Sequence, residues 1–442
     1  MKNALNRYFE LNPLLVFFPF LILFILIILI FGSNKLIGDE VRYFNFANNI
    51  LLGFYSPPSP NINLWNGPGY PLLLAPFVWL QVPLIYLKLM NALLQYFSII
   101  FLFKAINKFT SRKYAFIFSF FWAFYYISYQ ELYFLLTEPL TSFLCALIVF
   151  LISRINDSSY SGIKYSILAG LSIGLLALTK IIFGYVLVSM ILIYIVNFYF
   201  IDKSKKAKKI IYILGLAFLI NVPYLVYTYN LTDKMLYWGN SGGSSLYWMS
   251  TPIEGEFGEW NNHNFSVNCG HDPKIPCNAS LFAINHSKDF EVINQLVGVE
   301  KDDKFKEFAL RNIKENPLKY LRNCISNVSR MFFGIPNSYF YQREQTILRI
   351  LPNSVIFSVL IFCSVITAIN FKTVRVEIKM VVGFIFLYLL FSTLVSAYPR
   401  QFYVIVPLLF FWFSYVISRS VVINLRLGTV SKNNPTTQNA GE

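Results

Sequence analysis

Along the chain, long apolar runs alternate with short charged gaps and two long polar intervals. The first run, Leu14 to Phe31, carries no charge and is long enough to cross a hydrocarbon core of ~30 Å at ~1.5 Å per residue. Lys2 and Arg7 precede it and it exits through "FGSNK", with no small-residue cleavage site, so it reads as an uncleaved anchor with a cytoplasmic N-terminus. Further spans are predicted over Leu84 to Phe103, Tyr114 to Tyr129, Leu132 to Ile152, Ile163 to Thr179, Ile181 to Phe200, Ile210 to Tyr229, Pro352 to Phe371, Met380 to Tyr398 and Phe402 to Ile417. The apolar stretch from Ile163 to Phe200 is too long for one crossing, so it is divided at Lys180, with Gly184 nearby, which puts Lys180 at an outer helix end. The pattern predicts an all-α polytopic membrane protein of about ten transmembrane helices, integral to a plasma or inner membrane.

With the N-terminus inside, the cytoplasmic loops are "KAINKFTSRK", "RINDSSYSGIK", "DKSKKAKK", "KTVRVEIK" and the tail from Arg419, and each is basic. The long intervals, Gly32 to Pro83 and Asn230 to Leu351, then lie outside. This divides the chain into an N-terminal membrane module (1–229) whose first outer loop (32–83) carries chemistry, an extracytoplasmic segment (230–351), C-terminal helices (352–419) and a cytoplasmic tail (420–442). Within "DEVRYFNFANNILLGF", Tyr43, Phe46, Ala47, Ile50, Leu51 and Phe54 share one helical face, which predicts a short interfacial helix. Asp39 sits at its N-terminal end, where the helix dipole favours a carboxylate, and Arg42 one turn on. The following "SPPSPNINLWNGPGYPLLLAPF" predicts an irregular extended return, with Trp65, Tyr70 and Trp79 suited to the interfacial belt. The second interval opens with the loop signal "GNSGGSS" and ends in two amphipathic pieces, Lys301 to Phe333, broken at Pro317 and suited to the outer leaflet surface or to a cavity mouth. There is no fixed-period repeat, and "SKNNPTTQNAGE" reads as disordered.

Composition supports this. At 56% hydrophobic and 13% charged residues over 442, the chain cannot cover a soluble globule with polar surface. The net charge of +15 is concentrated in the gaps between apolar runs, so it reads as membrane topology and membrane-lipid contact, with no nucleic-acid partner. No Walker loop and no G-x-G-x-x-G after a strand is present, which argues against direct use of ATP or a nucleotide sugar.

Independently placed spans bring Asp39, Glu40, Arg42, Glu138, Lys180 and Arg400 to one side of the membrane at similar depth. Each has an ordinary reading: Asp39 and Glu40 as solvated loop acids, Arg42 snorkelling to headgroups, Arg400 as a topological marker. Glu138 and Lys180 resist one, because a charge inside an apolar span costs ~2.5–3.5 kcal/mol on insertion scales. The set suits sugar transfer from a lipid phosphate. A carboxylate takes the proton of an acceptor hydroxyl, and cations hold the leaving phosphate. Asp39 fits the first task; Arg42, Lys180 and Arg400 fit the second; Glu138 would orient Lys180 or hydrogen-bond the sugar.

"GDEVRYFNFANNILLGF" followed by "WNGPGYPLLLAPF" resembles the first outer loop of the GT-C glycosyltransferases, in particular the protein O-mannosyltransferase-like branch (glycosyltransferase family 39-like) that includes the lipid A aminoarabinose transferases. "ELYFLLTEPLTSFL", "GLSIGLLALTKIIFGYVLV", "IKENPLKYLRN" and "YPRQFYVIVPLLFFW" are similar to that branch in the same order. The resemblance implies a polyprenyl-phosphate-sugar donor, an inverting transfer and an outward cavity under the first loop. It maps the family's loop carboxylate onto Asp39, the following acid onto Glu40 as a second catalytic residue, and the arginine of the D-E-x-R-Y form onto Arg42. Where the aminoarabinose enzymes carry Lys-Pro-Pro, this chain has Asn66-Gly67-Pro68-Gly69. The missing lysine sets the aminoarabinose substrate in doubt and draws attention to Lys180 and Arg400.

The expected function is therefore a hexosyl- or pentosyltransferase of the cell envelope, passing a sugar from a polyprenyl-phosphate donor to a lipid, glycan or protein acceptor. The rivals are a lipid or glycan transporter or flippase, and a polymerase or ligase using a lipid-diphosphate donor with arginines such as Arg311, Arg322, Arg330 and Arg343. No cofactor is required with certainty, and a divalent cation stays open. Cys145 and Cys363 read as core residues, Cys324 as unpartnered, and Cys269 with Cys277 as an outer disulfide, ahead of a metal site with His263 and His271. Sequons stand at Asn264, Asn278 and Asn285.

Overall fold

Helix α1 (Pro13–Phe31) buries only Phe17, Phe20, Phe24 and Ile28, one side chain every three or four residues, and leaves Leu15, Ile30 and Phe31 exposed. A helix apolar all round with a single packed stripe is built to face lipid on its other sides. The computed structural model describes residues 11–157, 159–200, 203–261, 278–339 and 345–420, with no strand among the described residues. After α1 come α2 (Asp39–Leu51), α3 (Gly69–Trp79), α4 (Leu84–Phe109), α5 (Arg112–Ala123), a 3₁₀ turn (Tyr126–Glu131), α6 (Thr137–Ile152), α7 (Ser159–Thr179), α8 (Ile182–Phe200) and α9 (Lys205–Thr232). The second long interval holds α10 (Gly242–Met249), α11 (Asn278–Ile293), α12 (Gly298–Glu315) and α13 (Pro317–Phe333), and the chain ends through α14 (Gln345–Ile369), α15 (Val376–Leu394), α16 (Pro399–Tyr403) and α17 (Val406–Ser420).

All ten apolar segments are helical, but only seven helices among the described residues are long and apolar enough to cross a membrane unaided. The segments expected at 114–129, 132–152 and 402–417 are shortened to α5, α6 and α17, of 12, 16 and 15 residues. Fifteen helical residues span only ~22 Å. The shortfall is tolerated because α17 is buried from Val406 to Val416, inside the other helices, so it need not match the bilayer itself. A second difference lies in the first long loop. It is irregular to Pro68 and then turns helical as α3, because Pro71 falls in the first turn, where a missing N–H costs no helical bond. The segment 262–277, with Cys269, Cys277, His263, His271 and Asn264, lies outside the described residues, as do Arg343 and the tail.

One face of α4 explains where the helical ladder can be broken. Lys88, Asn91, Gln95 and Ser98 fall on a single buried stripe. Asn91 Nδ2 donates to the Leu132 and Phe134 carbonyls at 3.0 and 2.7 Å, and Gln95 Nε2 donates to Ser128 Oγ at 3.2 Å. Ser98 Oγ accepts from the Trp122 indole at 2.7 Å. Inside an apolar bundle, backbone that leaves a helix needs such partners, and this stripe supplies them to the non-helical stretch between α5 and α6. Elsewhere packing is by close approach: a Cβ on Gly170 or Gly174 of α7 would lie 3.0 or 2.9 Å from the Ile213 or Ala217 carbonyl of α9.

The two ends of the bundle differ. Lys88 and Lys108 share α4 and stand ~30 Å apart by helical rise. Around Lys108 the basic gaps meet: it pairs with Asp157 at 2.7 Å, Arg154 lies 3.6 Å from the same carboxylate, and Arg375 pairs with Glu377 at 3.3 Å. At the Lys88 end, α13 buries its polar stripe. Asn323 Nδ2 donates to the Met249 and Thr251 carbonyls, Asn327 Nδ2 to Ser392 O and Val395 O, and Arg330 Nε to Ala397 O. Its apolar residues Leu318, Leu321 and Ile325 stay exposed. Replacing Asn91 with alanine strips two buried carbonyls of their donor, and is expected to lower the unfolding free energy by ~1–3 kcal/mol, read as a lower melting temperature of the detergent-solubilised protein.

Candidate active site

At the N-terminus of α2, Gly38 adopts φ +58° and offers no side-chain cap. Glu40 supplies the missing acceptor: Oε2 receives the Ile37 amide at 2.8 Å and Oε1 the Leu135 amide at 2.7 Å. The same Oε1 lies 3.0 Å from Lys88 Nζ, which also donates to Ser33 O at 2.9 Å, and both charged side chains are fully buried. Glu40 therefore joins the start of α2, the helix α4 and the approach to α6. Glu40, expected from the sequence as a second catalytic acid, turns away from solvent and does not line the cavity described next. A charge buried at both ends is costly to unpair.

Turning the opposite way, Asp39 opens a chain of alternating charges. Its Oδ1 is 2.8 Å from Arg42 Nη2 and its Oδ2 is 3.0 Å from Arg400 Nη2. Arg400 Nε is 3.8 Å from Glu138 Oε1, which also receives Lys180 Nζ at 3.0 Å. Arg42 Nε donates to Asn66 Oδ1 at 2.6 Å and its guanidinium lies 5.6 Å from the Trp65 ring centroid. Asn66 is held in turn, since its Nδ2 donates to Tyr43 Oη at 3.1 Å and its carbonyl accepts from Tyr55 Oη at 2.8 Å. Burial opposes the charge on Arg400, but Glu138 and Asp39 outweigh it and raise its pKa.

These residues surround a cavity of about 560 Å³ lined by Asp39, Arg42, Asn66, Glu138, Lys180 and Arg400. Lys180 stands between α7 and α8, where the divided hydrophobic run places it. Gly67 and Gly69 press the first loop against the end of α7: a Cβ on either would lie 2.1 Å from Leu178 O or 2.7 Å from Thr179 N, so only glycine admits this approach. The lining also includes the apolar Ile181, Ile182, Tyr185, Phe391, Leu394 and Val395 and the small or hydroxyl residues Ser241, Gly242, Ser245 and Ser396. Five of the six charged residues expected from the sequence thus line one cavity. Lys88 was missed, although a lysine within an apolar span is a visible signal; Asn66, Trp65 and Tyr43 carried no charge to mark them.

The described arginines of the later segment, Arg311, Arg322 and Arg330, do not line the cavity. Arg311 pairs with Asp289 at 3.0 Å, Arg322 is exposed beside Glu254, and Arg330 is spent on carbonyls and Asn327. Cys145 and Cys363 are buried and Cys324 half-buried, all as free thiols. Among the described residues no group of three or more His, Cys, Asp or Glu stands together as a metal site.

Fold and site together define a polytopic, all-helical membrane protein with a charged cavity under its first long loop. Among solved structures the chain is similar to ArnT from Cupriavidus metallidurans, both bound to undecaprenyl phosphate and in the apo state, at 12% identity and TM-scores of 0.37 and 0.38. The alignments cover 89% of this chain and 76% and 77% of those chains. No protein-family model and no curated protein matches the sequence.

Glu40→Ala leaves Lys88 buried without a counter-charge, and the expected loss of stability is ~3–5 kcal/mol. Glu40→Gln combined with Lys88→Met removes both charges while keeping the length of the side chains. Thermal unfolding is expected to place the double variant well above Glu40→Ala.

Proposed function

We propose that this protein is an integral-membrane glycosyltransferase of the GT-C type, which passes a sugar from a polyprenyl-phosphate carrier to an acceptor hydroxyl, with inversion, at the extracytoplasmic face. The observation that carries this reading is the alternation of Asp39 and Glu138 with Arg42, Arg400 and Lys180 around one cavity. Cations held by carboxylates are fixed in place before a phosphate arrives, and guanidinium groups offer it bidentate contact. The apolar residues of the lining suit an isoprenoid chain entering from the bilayer.

Asp39 is the base. A carboxylate has about four acceptor sites, so Asp39 keeps room for an acceptor hydroxyl beside its two arginines. That hydroxyl oxygen attacks the anomeric carbon as its proton passes to Asp39. The bond from the anomeric carbon to the phosphate oxygen breaks on the opposite side, and its electron pair stays with the phosphate held by Arg400, Lys180 and Arg42. Displacement from the far side inverts the anomeric centre. Two features support an outward site: the basic loops gather at the other end of the bundle, and the sequence resemblance to GT-C first loops runs the same way.

The test incubates purified protein with polyprenyl-phosphate sugars and lipid, glycan and protein acceptors, and measures released polyprenyl phosphate. Asp39→Asn is expected to slow turnover by ~10²–10⁴-fold, while Lys180→Gln and Arg400→Gln lower kcat/KM through the phosphate. Full turnover by Asp39→Asn would remove the base from the mechanism. Labelling of a cysteine at position 53 from the cytosolic side alone would reverse the orientation.

A further inference from the structure

Helices α12 and α13 meet at the elbow of Asn316 and Pro317 but turn opposite kinds of side chain outward. On α12 the exposed positions include Glu300, Asp303, Lys306, Glu307 and Lys314, with Phe305 and Ala309 buried and Leu310 the one large apolar residue left outside, the pattern of a helix in water. On α13 the pattern is inverted. Asn323, Asn327 and Arg330 form the buried stripe, while Leu318, Leu321 and Ile325 are 71, 57 and 72% exposed at spacings of three and four residues. Amides facing inward find carbonyls there, but an outward row of aliphatic side chains is stable only against apolar surroundings.

The neighbours of that edge identify what covers it. Tyr320 Oη donates to Leu394 O at 2.8 Å and Asn327 Nδ2 to Ser392 O at 3.0 Å, so α13 lies across the cavity end of α15. Phe332 and Phe333 pack on Phe357 of α14, with ring centroids 5.0 and 6.2 Å apart. Both α14 and α15 are long and apolar enough to cross a membrane, and within two turns of these contacts they expose Leu351 and Val355, and Leu390 and Leu394. From Leu318 to Ile325 the rise is only ~10 Å, too short to cross a bilayer.

We propose that α13 continues the lipid-facing surface of α14 and α15 as an interfacial helix, sunk into the leaflet on the cavity side with Leu318, Leu321 and Ile325 among acyl chains, while α12 stands in water beyond Pro317. The partner of this surface is bilayer lipid. Arg322, whose side chain is 73% exposed next to the same stripe, snorkels to the headgroup phosphates, and the equally exposed Glu254, 4.0 Å away, stands with it at the polar rim. Leu394 is 40% exposed and also lines the cavity, so the immersed edge abuts the cavity and α13 sets its height against the headgroups. The chain of charges through Asp39, Arg400 and Glu138 is thereby kept at phosphate level by a helix that contributes no residue to the lining.

The test uses the full chain in vesicles of phosphatidylcholine and phosphatidylglycerol. Nitroxide labels are placed one at a time through Leu318→Cys, Leu321→Cys, Ile325→Cys and, on α12, Lys306→Cys, in a Cys324→Ser background whose own signal is subtracted. Collisions with oxygen, which concentrates among acyl chains, are expected to exceed those with a water-soluble nickel chelate at 318, 321 and 325, and the ratio is expected to invert at 306. A chelate-dominated signal at 321 puts the edge in water, and weak collisions with both reagents mean that protein covers it; either result overturns the proposal. The unsubstituted protein gives a second measurement, in which a diazirine carried on an acyl chain is expected to label residues 318–325 as it labels α14, and to spare 300–307. Labelled α14 with an unlabelled 318–325 stretch also overturns it. Neither readout involves turnover, so the result is independent of the glycosyl-transfer reading.

Discussion

Backbone that leaves a helix inside an apolar bundle must exchange each lost hydrogen bond for another, and the architecture of this protein follows from where that exchange is affordable. The stretches that lead into the cavity residues Asp39, Glu138 and Arg400, before α2, between α5 and α6 apart from the 3₁₀ turn, and between α15 and α16, are non-helical. Each is held by side chains reaching out of a neighbouring helix: Glu40 and Lys88 for the first, Asn91 and Gln95 for the second, Asn327 and Arg330 for the third. The polar residues of α4 and α13 therefore act at a distance on the chemistry. They never enter the cavity, yet they fix the segments that carry Asp39, Glu138 and Arg400.

The charged chain in the cavity obeys a related rule. Arg42, Asp39 and Arg400 are each about a third exposed, whereas Glu138 is buried. Glu138 can stay there only because two cations approach it, and those cations are in turn held where a phosphate would need them. The Glu40–Lys88 pair sits next door with the same chemistry and none of the access. Two adjacent acids at one helix start have thus been divided by the turn of the backbone into a solvent-facing group and a structural one.

Much of this was legible in the sequence because it depends on period and rarity. Uninterrupted apolar runs mark spans, Lys180 could only divide an over-long one, and charges in greasy surroundings stand out individually. The five cavity charges were found that way. What stayed hidden depends on direction. Asp39 and Glu40 look alike in the sequence, and only the partners Ile37, Leu135 and Lys88 separate them. The return through α3 was misread because "GPGYP" signals irregular chain, whereas the prolines and glycines stand at the helix start, where they do no harm. The shortened α5, α6 and α17 were misread because hydropathy records apolar character but not whether lipid or protein surrounds it.

Asp39 and Arg400 stand at nearly opposite ends of the polypeptide, and their ion pair is the stitch that joins the two halves of the charged chain. A ribosome making this chain releases Asp39, Arg42, Glu138 and Lys180 into the membrane long before the arginine that links them. Until the last two helices are inserted, the half-built assembly has the Asp39–Arg42 pair and the Glu138–Lys180 pair but no bridge between them. Competence is thereby tied to completion, and a chain cut short before residue 400 is left without the guanidinium that joins its two acids.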